Sequence, residues 1–186
     1  MPDDNRIADL TPSLVVRLRA GDPDAGSVLD RLYRRSMVRF CWGYLGTDPD
    51  AEDAVQEIFY KAIKATVVPD NFRAWLYKIA RNHCLNIIRN RARRPDEQEL
   101  PAESRLYAEM TGNVTRMVRE ELRSRIMHLI GTLPVSQREV LRLRYVEELS
   151  RSDIAFVVGV SESVVKSRLF EGIKKLRGQT SLLEGE

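Results

Sequence analysis

Residues 149–177 read LSRSDIAFVVGVSESVVKSRLFEGIKKLR, and this stretch decides the fold of the C-terminal part of the chain. Ser150 can cap a first helix, and Asp153 lies where an acid supports the first helical turn. Gly159 supplies the positive φ that a tight turn requires, and Ser161 can cap a second helix. The order of helix, glycine turn and helix predicts a helix-turn-helix whose second helix reads DNA.

The second predicted helix has two chemically different faces. Its apolar residues recur at helical spacing and are expected to face inward, namely Val164, Val165, Leu169 and Ile173. Its polar residues are the candidates for contact with a DNA groove, namely Ser161, Ser163, Lys166, Ser167, Arg168 and Glu171. An ordinary helical hairpin with a solvated charged face is the alternative interpretation. The small Ala155 at the expected helix crossing favours the DNA-binding one.

The rest of the chain is also predicted to be helical, because no segment shows the alternation of a strand for long. The periodicity indicates earlier helices near residues 11–20, 24–45, 51–65, 72–94, 114–130 and 133–148. Ser136 is the expected cap of the last of these, with Glu139 at the capping-box position. The fold class is therefore all-α. Two small helical domains, at residues 8–94 and 114–178, are joined by a flexible acidic linker at residues 95–113.

The helices over residues 51–65 and 72–94 are both amphipathic. The inward stripe of the first is expected to be Ala54, Val55, Ile58, Phe59, Ala62 and Ile63. The inward stripe of the second is expected to be Leu76, Ile79, Ala80, His83, Cys84, Ile87 and Ile88. Trp75 and Tyr77 near the start of the second helix could stack on an unpaired base or pack in the core.

Charge is strongly segregated along these two helices although the net charge of the 186 residues is only +3. Residues 48–57 hold five acids and no base, whereas residues 71–94 hold seven arginines or lysines and no acid. We therefore expect one face for a basic protein surface and another for a polyanion. The outward residues of the basic helix are Arg73, Lys78, Arg81, Asn82, Asn86, Arg89 and Arg93.

The basic helix carries two kinds of nucleic-acid ligand. Arginine and lysine contact phosphates and bring affinity without sequence information. Asn82 and Asn86, one turn apart, carry amides that can read a base edge. A helix whose charges are merely solvated is the alternative, and the absence of any acid among seven cations favours nucleic acid.

The sequence shows no pattern of catalysis or metal binding. It has no glycine-rich phosphate loop, no HExxH and no nucleophile elbow. Four carboxylates at the start of the acidic helix could in principle bind a metal ion. Acids in this position more often interact with the helix dipole or form a docking face, and that interpretation is favoured. The four residues are Asp50, Glu52, Asp53 and Glu57. His83 and Cys84 could suggest zinc, but a buried thiol fits the apolar stripe better. We expect neither an enzyme nor a cofactor or metal.

The cellular compartment is expected to be the cytoplasm. The two cysteines, Cys41 and Cys84, are too few for a disulfide framework. The chain shows no signal peptide and no apolar run near the length of a membrane span.

Both halves resemble one family. DAEDAVQEIFYKAIKA (50–65) and FRAWLYKIARNHCLNIIRNRARR (72–94) resemble region 2 of the extracytoplasmic-function sigma factors, which are bacterial initiation factors of RNA polymerase. LPVSQREVLRLRYVEELSRSDIAFVVGVSESVVKSRLFEGIKKLR (133–177) resembles their region 4, and SLVVRLRAGDPDAGSVLDRLYRR (13–35) extends the likeness toward the N-terminus. Both blocks in this order make the resemblance specific.

The resemblance implies roles for individual residues. The acidic helix would dock on the clamp coiled coil of the largest subunit of core RNA polymerase, through Asp53, Gln56, Glu57 and Tyr60. The basic helix would bind the −10 element of promoter DNA, with Asn82 and Asn86 reading bases. The loop before it would capture a base flipped from the non-template strand, and its residues are Thr66, Val67, Val68, Pro69, Asp70 and Asn71. The second helix of the helix-turn-helix would read the −35 element.

Further partners follow from the same resemblance. They are the polymerase flap and, as in many members, an anti-sigma factor that can hold the protein at the inner membrane face.

Two features depart from the family: the capture loop is short and apolar, and Glu171 stands where a basic residue is common. Glu171 either gives an unusual −35 preference or points aside. An autonomous helix-turn-helix regulator that binds duplex DNA as a dimer is the alternative to a sigma factor.

Overall fold

A computed structural model describes residues 3–93 and 131–183, with side chains from 10 to 93 and from 131 to 178. Seven helices occupy these ranges, and no strand occurs in them. They are α1 (Asp3–Arg19), α2 (Ala25–Leu45), α3 (Asp48–Ile63), α4 (Phe72–Ala92), α5 (Val135–Tyr145), α6 (Arg151–Val158) and α7 (Glu162–Leu183). The all-α prediction is confirmed. The chain divides into two compact units, one holding α1–α4 and the other α5–α7.

Two predictions concern segments that the structure does not describe. The acidic linker at residues 95–113 and the helix over residues 114–130 lie outside the described residues. Within the ranges 3–93 and 131–183, no helix is long and apolar enough to cross a membrane.

In the N-terminal unit, local signals set where α2 and α3 meet. Gly46 ends α2 with φ 80°, and its N–H donates to the carbonyl of Trp42 at 2.8 Å. Thr47 caps α3 by accepting from the amide of Asp50. The predicted start of α3 at residue 51 is three residues too late, because Pro49 belongs to the first helical turn, where it lacks only an N–H that would be unpaired anyway. α1 likewise begins before its predicted start, at Asp3.

The core of this unit is largely aromatic. The rings of Tyr33 and Phe72 meet edge to face with centroids 5.7 Å apart, and those of Phe40 and Tyr77 do so at 5.1 Å. All four residues are essentially inaccessible to solvent. Base stacking is therefore excluded for Tyr77, because its ring is part of the core. Trp75 is half-buried and packs on Phe72.

The predicted apolar stripe of α3 is almost wholly buried, whereas that of α4 is buried at fewer than half of its residues. In α3, five of the six predicted residues are buried, whereas Ile63 at the last position is 44% exposed. In α4, Leu76, Ala80 and Cys84 are buried, and the other predicted members are only partly so; they are Ile79, His83, Ile87 and Ile88. No residue of α4 after Cys84 is buried, because the packed core ends there.

In the C-terminal unit, the helix-turn-helix has the predicted local structure. Ser150 caps α6, its Oγ accepting from the amide of Asp153 at 3.0 Å. Gly159 ends α6 with φ 78°, and Ser161 Oγ accepts from the amide of Val164 at 3.4 Å in the first turn of α7. The predicted caps and turn are confirmed.

Two details of this unit differ from the prediction. Ser136 is not the cap of α5, because Pro134 precedes the helix and its carbonyl accepts from Gln137 and Arg138. On α7, Val165 and Leu169 are buried as predicted, but Val164 is exposed and Ile173 only half-buried. Gly172 lies inward in their place: a Cβ added there would come within 2.8 Å of Leu141 on α5.

Candidate nucleic-acid and protein interfaces

The outward face of α3 carries the predicted docking residues together. Asp53, Gln56, Glu57 and Tyr60 recur at helical spacing and are all exposed, with Tyr60 60% accessible. They lie opposite the buried stripe of the same helix. This acidic face, as we call these four residues, combines negative charge with one exposed aromatic ring.

The other two acids of the imagined metal cluster pair with arginines inside the unit. Asp50 Oδ1 accepts from Arg91 Nη2 of α4, and Glu52 accepts from Arg34 Nη1 of α2. Partial burial by itself raises the pKa of Asp50, but hydrogen bonds from Thr47 and Arg91 outweigh it and leave that pKa below its usual value. These two carboxylates therefore hold helices together.

The basic side of α4 is open to solvent over much of its length. Asn82, Asn86 and Arg89 are exposed, and Arg89 Nη1 donates to Asn86 Oδ1 at 3.5 Å. Three further predicted DNA ligands are half-buried, namely Arg73, Lys78 and Arg81. Asn82 and Asn86 are thus side by side and accessible, as base reading requires.

His83 lies at the boundary between α3 and α4. Its Nδ1 is 2.9 Å from Lys61 Nζ, and its side chain is half-buried. Burial and the Lys61 charge lower the pKa of His83, and the charge of Glu57 on the acidic face opposes them. The ring is therefore predominantly neutral at pH 7 and serves α3–α4 packing.

The predicted capture loop is fixed at its centre and open at its flanks. Val68 is buried, whereas Val67 is 76% exposed and Thr66 is also exposed. Asn71 caps α4 by accepting from the amide of Ala74 at 3.4 Å. The side chains of Thr66 and Val67 are therefore exposed and available to a base, whereas Pro69 is half-buried and the exposed Asp70 pairs with Arg19.

Arg19, at the end of α1, contacts this loop. Its Nε and Nη2 donate to the carbonyl of Val68 at 2.9 and 2.7 Å, and Nη2 also donates to Asp70 Oδ1 at 2.8 Å. Arg19 is not among the site residues predicted from the sequence. Its partners lie about fifty residues further along the chain, and no local pattern signals a contact over that separation.

The reading face of α7 is exposed except at Arg168, which is half-buried. Lys166 and Ser167 are open to solvent, and the hydroxyls of Ser161 and Ser163 are 2.8 Å apart at the start of the helix. Glu171 is exposed but turned toward α5. It accepts from Gln137 Nε2 at 2.9 Å and from Ser167 Oγ at 3.1 Å. Of the two alternatives for Glu171, this geometry favours the one in which it points aside.

Two regions of one family match the two units. Sigma-70 region 2 matches residues 29–94, and Sigma-70, region 4 matches residues 123–176. The solved structure of CnrH in complex with the cytosolic domain of CnrY is similar over 93% of this chain and 96% of that chain. The TM-score is 0.62 at 22% sequence identity, so the likeness shows a common fold.

Curated relatives extend the match over most of the chain. The ECF RNA polymerase sigma factor SigW of Bacillus subtilis is 30% identical over 177 residues, which are 89% of this chain and 94% of that protein. The RNA polymerase sigma-H factor of Pseudomonas aeruginosa is 32% identical over 84% of this chain and 86% of its own length. The ECF RNA polymerase sigma-E factor of Escherichia coli is 31% identical over 84% and 87%. The chain therefore belongs to the extracytoplasmic-function sigma factors and is a transcription initiation factor that directs RNA polymerase to promoters.

Proposed function

We propose that this sigma factor divides its work among four surfaces, each built from residues described above. The acidic face of α3 docks on core polymerase, and the basic side of α4 holds the −10 element. The loop at residues 66–71 captures an unpaired base, and α7 reads the −35 element. The observation that carries the proposal is the simultaneous exposure of all four acidic-face residues on a helix whose opposite side is buried.

Docking would use charge and one aromatic anchor. Asp53 and Glu57 complement a basic surface, which we take to be the clamp coiled coil of the largest polymerase subunit. Tyr60 offers a large apolar ring that loses its solvent on binding, and such residues often dominate interface energies. The domain boundaries that we assign to these functions are residues 8–94 and 114–178.

On α4, positioning and reading would be separate tasks. Arg73, Lys78, Arg81 and Arg89 neutralise phosphates, and this fixes the register without reading sequence. Asn82 and Asn86 then read base edges with their amides. Thr66 and Val67 present a small exposed surface for the captured base, whose removal from the stack costs a few kcal/mol. Binding energy, with no catalytic group, drives the opening.

At the −35 element, the start of α7 would enter the groove. Its first amides and the hydroxyls of Ser161 and Ser163 suit a phosphate, whereas Lys166, Ser167 and Arg168 are placed to meet bases or backbone. Glu171 remains one of the proposed −35-binding residues, with the role of orienting Ser167 and holding α7 to α5.

Two further partners belong to the proposal. The C-terminal unit would also contact the polymerase flap. CnrH, which shares the fold, was solved in complex with the cytosolic domain of CnrY, and this supports an anti-sigma factor as a regulator of the present chain. Action on polymerase would place the protein in the cytoplasm, with an anti-sigma factor able to hold it at the inner membrane face.

Docking is tested by measuring the affinity of the full chain for bacterial core polymerase. Changing Gln56 and Glu57 together to alanine should weaken binding by at least tenfold, because two central contacts are lost. The matched control is Asp48→Asn, which removes an exposed acid from the same helix outside the acidic face. Equal affinities for the double variant and the control would place docking elsewhere.

A further inference from the structure

The loop at residues 66–71 combines one buried residue with exposed neighbours. The Val68 side chain is 5% exposed and anchors the loop in the core, whereas Val67 beside it is 76% exposed. Such an arrangement projects the flanking side chains outward. It does not by itself fix the backbone, because a single apolar anchor leaves rotation about its neighbours free.

The guanidinium of Arg19 supplies the missing constraint. Two of its nitrogens donate to the Val68 carbonyl, at 2.9 and 2.7 Å, and one of them also reaches the Asp70 carboxylate at 2.8 Å. One planar group therefore ties the backbone at the centre of the loop to a side chain two residues later. A lysine could not reproduce this grip, since it has one nitrogen and no fork.

The support of Arg19 is itself fixed. Leu14, Val15 and Leu18 of α1 are buried in the core. In the last turn of α1, Arg17 Nε donates to Asp22 Oδ2 at 2.6 Å, which closes the turn into α2. The contacts of Arg19 with Val68 and Asp70, which we call the Arg19 clamp, thus join the end of a packed helix to a loop that has no secondary structure of its own.

We propose that Arg19 is a positioning residue for base capture: it pre-orders the loop so that Thr66 and Val67 meet the flipped base without first being ordered. This inference rests on the proposed function of the loop. Ordering before binding removes an entropic cost that would otherwise lower the apparent affinity for the unpaired strand. Arg19 also pairs with Asp70, which offsets part of a negative charge that would repel the phosphates of a bound strand.

The two arms of the clamp contribute unequally. The Asp70 side chain is 95% exposed, so its ion pair with Arg19 is screened by solvent. The Val68 carbonyl belongs to a buried residue and accepts a charge-assisted pair of bonds, which are the stronger contacts. Asp70→Asn should therefore have a small effect, and both Arg19→Ala and Arg19→Lys a large one.

Loop order is measured first, on the full chain without polymerase. Backbone NMR order parameters at Val67 and Asp70 should be near the rigid value of about 0.85 in the wild type and below about 0.6 in Arg19→Ala and Arg19→Lys. The lysine variant keeps the charge and most of the stem, so it serves even if the alanine variant does not fold. Wild-type order parameters in Arg19→Lys would overturn the clamp.

Base capture is measured second, with holoenzyme on a promoter selected by the wild-type protein. The base analogue 2-aminopurine, placed through the −10 element, reports unstacking by its fluorescence. Open complex should fall about tenfold in both Arg19 variants and less than about threefold in Asp70→Asn. Affinity for core polymerase and protection of the −35 element should remain at the wild-type level.

Three outcomes would overturn the proposal. Normal opening by both Arg19 variants would show that loop order does not matter for capture. Normal opening by Arg19→Lys alone would show that the residue acts as a charge on a phosphate. No promoter-dependent opening by the wild type would remove the proposed function of the loop, and the order parameters would still decide separately whether the clamp exists.

Discussion

Asn82 and Arg89 lie on the exposed side of α4 but should act on DNA in different ways. Asn82→Ala should cost about 1–3 kcal/mol of discrimination at one −10 position, because an amide that pairs with a base edge is lost. Arg89→Ala should weaken all promoters alike and reduce the salt dependence of binding by about one phosphate contact. Competitive binding of holoenzyme to single-base promoter variants measures both. An Asn82→Ala profile with wild-type base preference would refute the assignment.

Glu171 should act on the fold more than on base choice. Its carboxylate accepts from the amide of Gln137, a buried residue whose Oε1 has no hydrogen-bond partner among the described residues. Glu171→Ala leaves that amide nitrogen unpaired as well and should lower the free energy of unfolding by about 1–2 kcal/mol. Urea unfolding checks this value. The base preference at the −35 element should stay unchanged in Glu171→Ala. By contrast, Arg168→Ala should weaken binding to the −35 element. A changed base preference in Glu171→Ala would show that Glu171 contacts a base directly.

Which residues could be predicted from the sequence depended on the distance between partners. Ser150 and Gly159 act on groups within one helical turn, so their roles could be predicted from adjacent letters. The prediction that Ser136 caps α5 was wrong, because Pro134, with its fixed φ, precedes the helix instead. Arg19 was missed because its partners are brought to it only by the packing of α1 onto the unit.

At the scale of elements, α6 depends strongly on its cap. It has only eight residues, so Ser150 satisfies an appreciable share of its unpaired amides. Ser150→Ala should cost about 1 kcal/mol of unfolding free energy. Arg151→Ala is the matched control, because this exposed residue lies in the same first turn but does not cap it, whereas the Ser152 hydroxyl is 2.8 Å from the capping hydroxyl. Equal losses in the two variants would mean that the cap contributes nothing specific.

The pairing of Asp50 with Arg91 ties α3 to α4 and should depend on pH. The folded-state pKa of Asp50 lies below the ordinary value of 3.8, so its contribution to stability is complete above that pH. The contribution is lost as the pH falls through the folded-state pKa. The stability advantage of the wild type over Asp50→Asn should therefore shrink below about pH 4 in urea titrations. A constant difference between pH 7 and pH 2.5 would contradict the pairing.

Helix positions were easier to predict than helix ends. The stripe of α3 fails only at Ile63, where the helix runs out beside the α1–α2 turn. The stripe of α7 fails at Val164 and in part at Ile173, whereas Gly172 lies close to Leu141 of α5. Periodicity reports that a helix has an apolar side, but the partner decides which residues are covered.

At the scale of the whole molecule, segregated charge was the most useful prediction. The acids of residues 48–57 and the cations among residues 72–92 lie on successive helices of one unit. The Asp50–Arg91 and Arg34–Glu52 pairs neutralise part of that charge inside the unit. The acidic face and the basic side of α4 remain exposed, which is the arrangement that a factor joining a protein to DNA requires.

The central claim is tested most directly by reconstituted transcription. The purified chain and bacterial core polymerase are mixed with a pool of randomised promoters, and the starts of the RNA products are sequenced. Specific transcripts that need both components, with enriched −35 and −10 elements, are the predicted result. An absence of such transcripts, together with tight dimeric binding to palindromic duplex DNA, would contradict the account and favour an autonomous regulator.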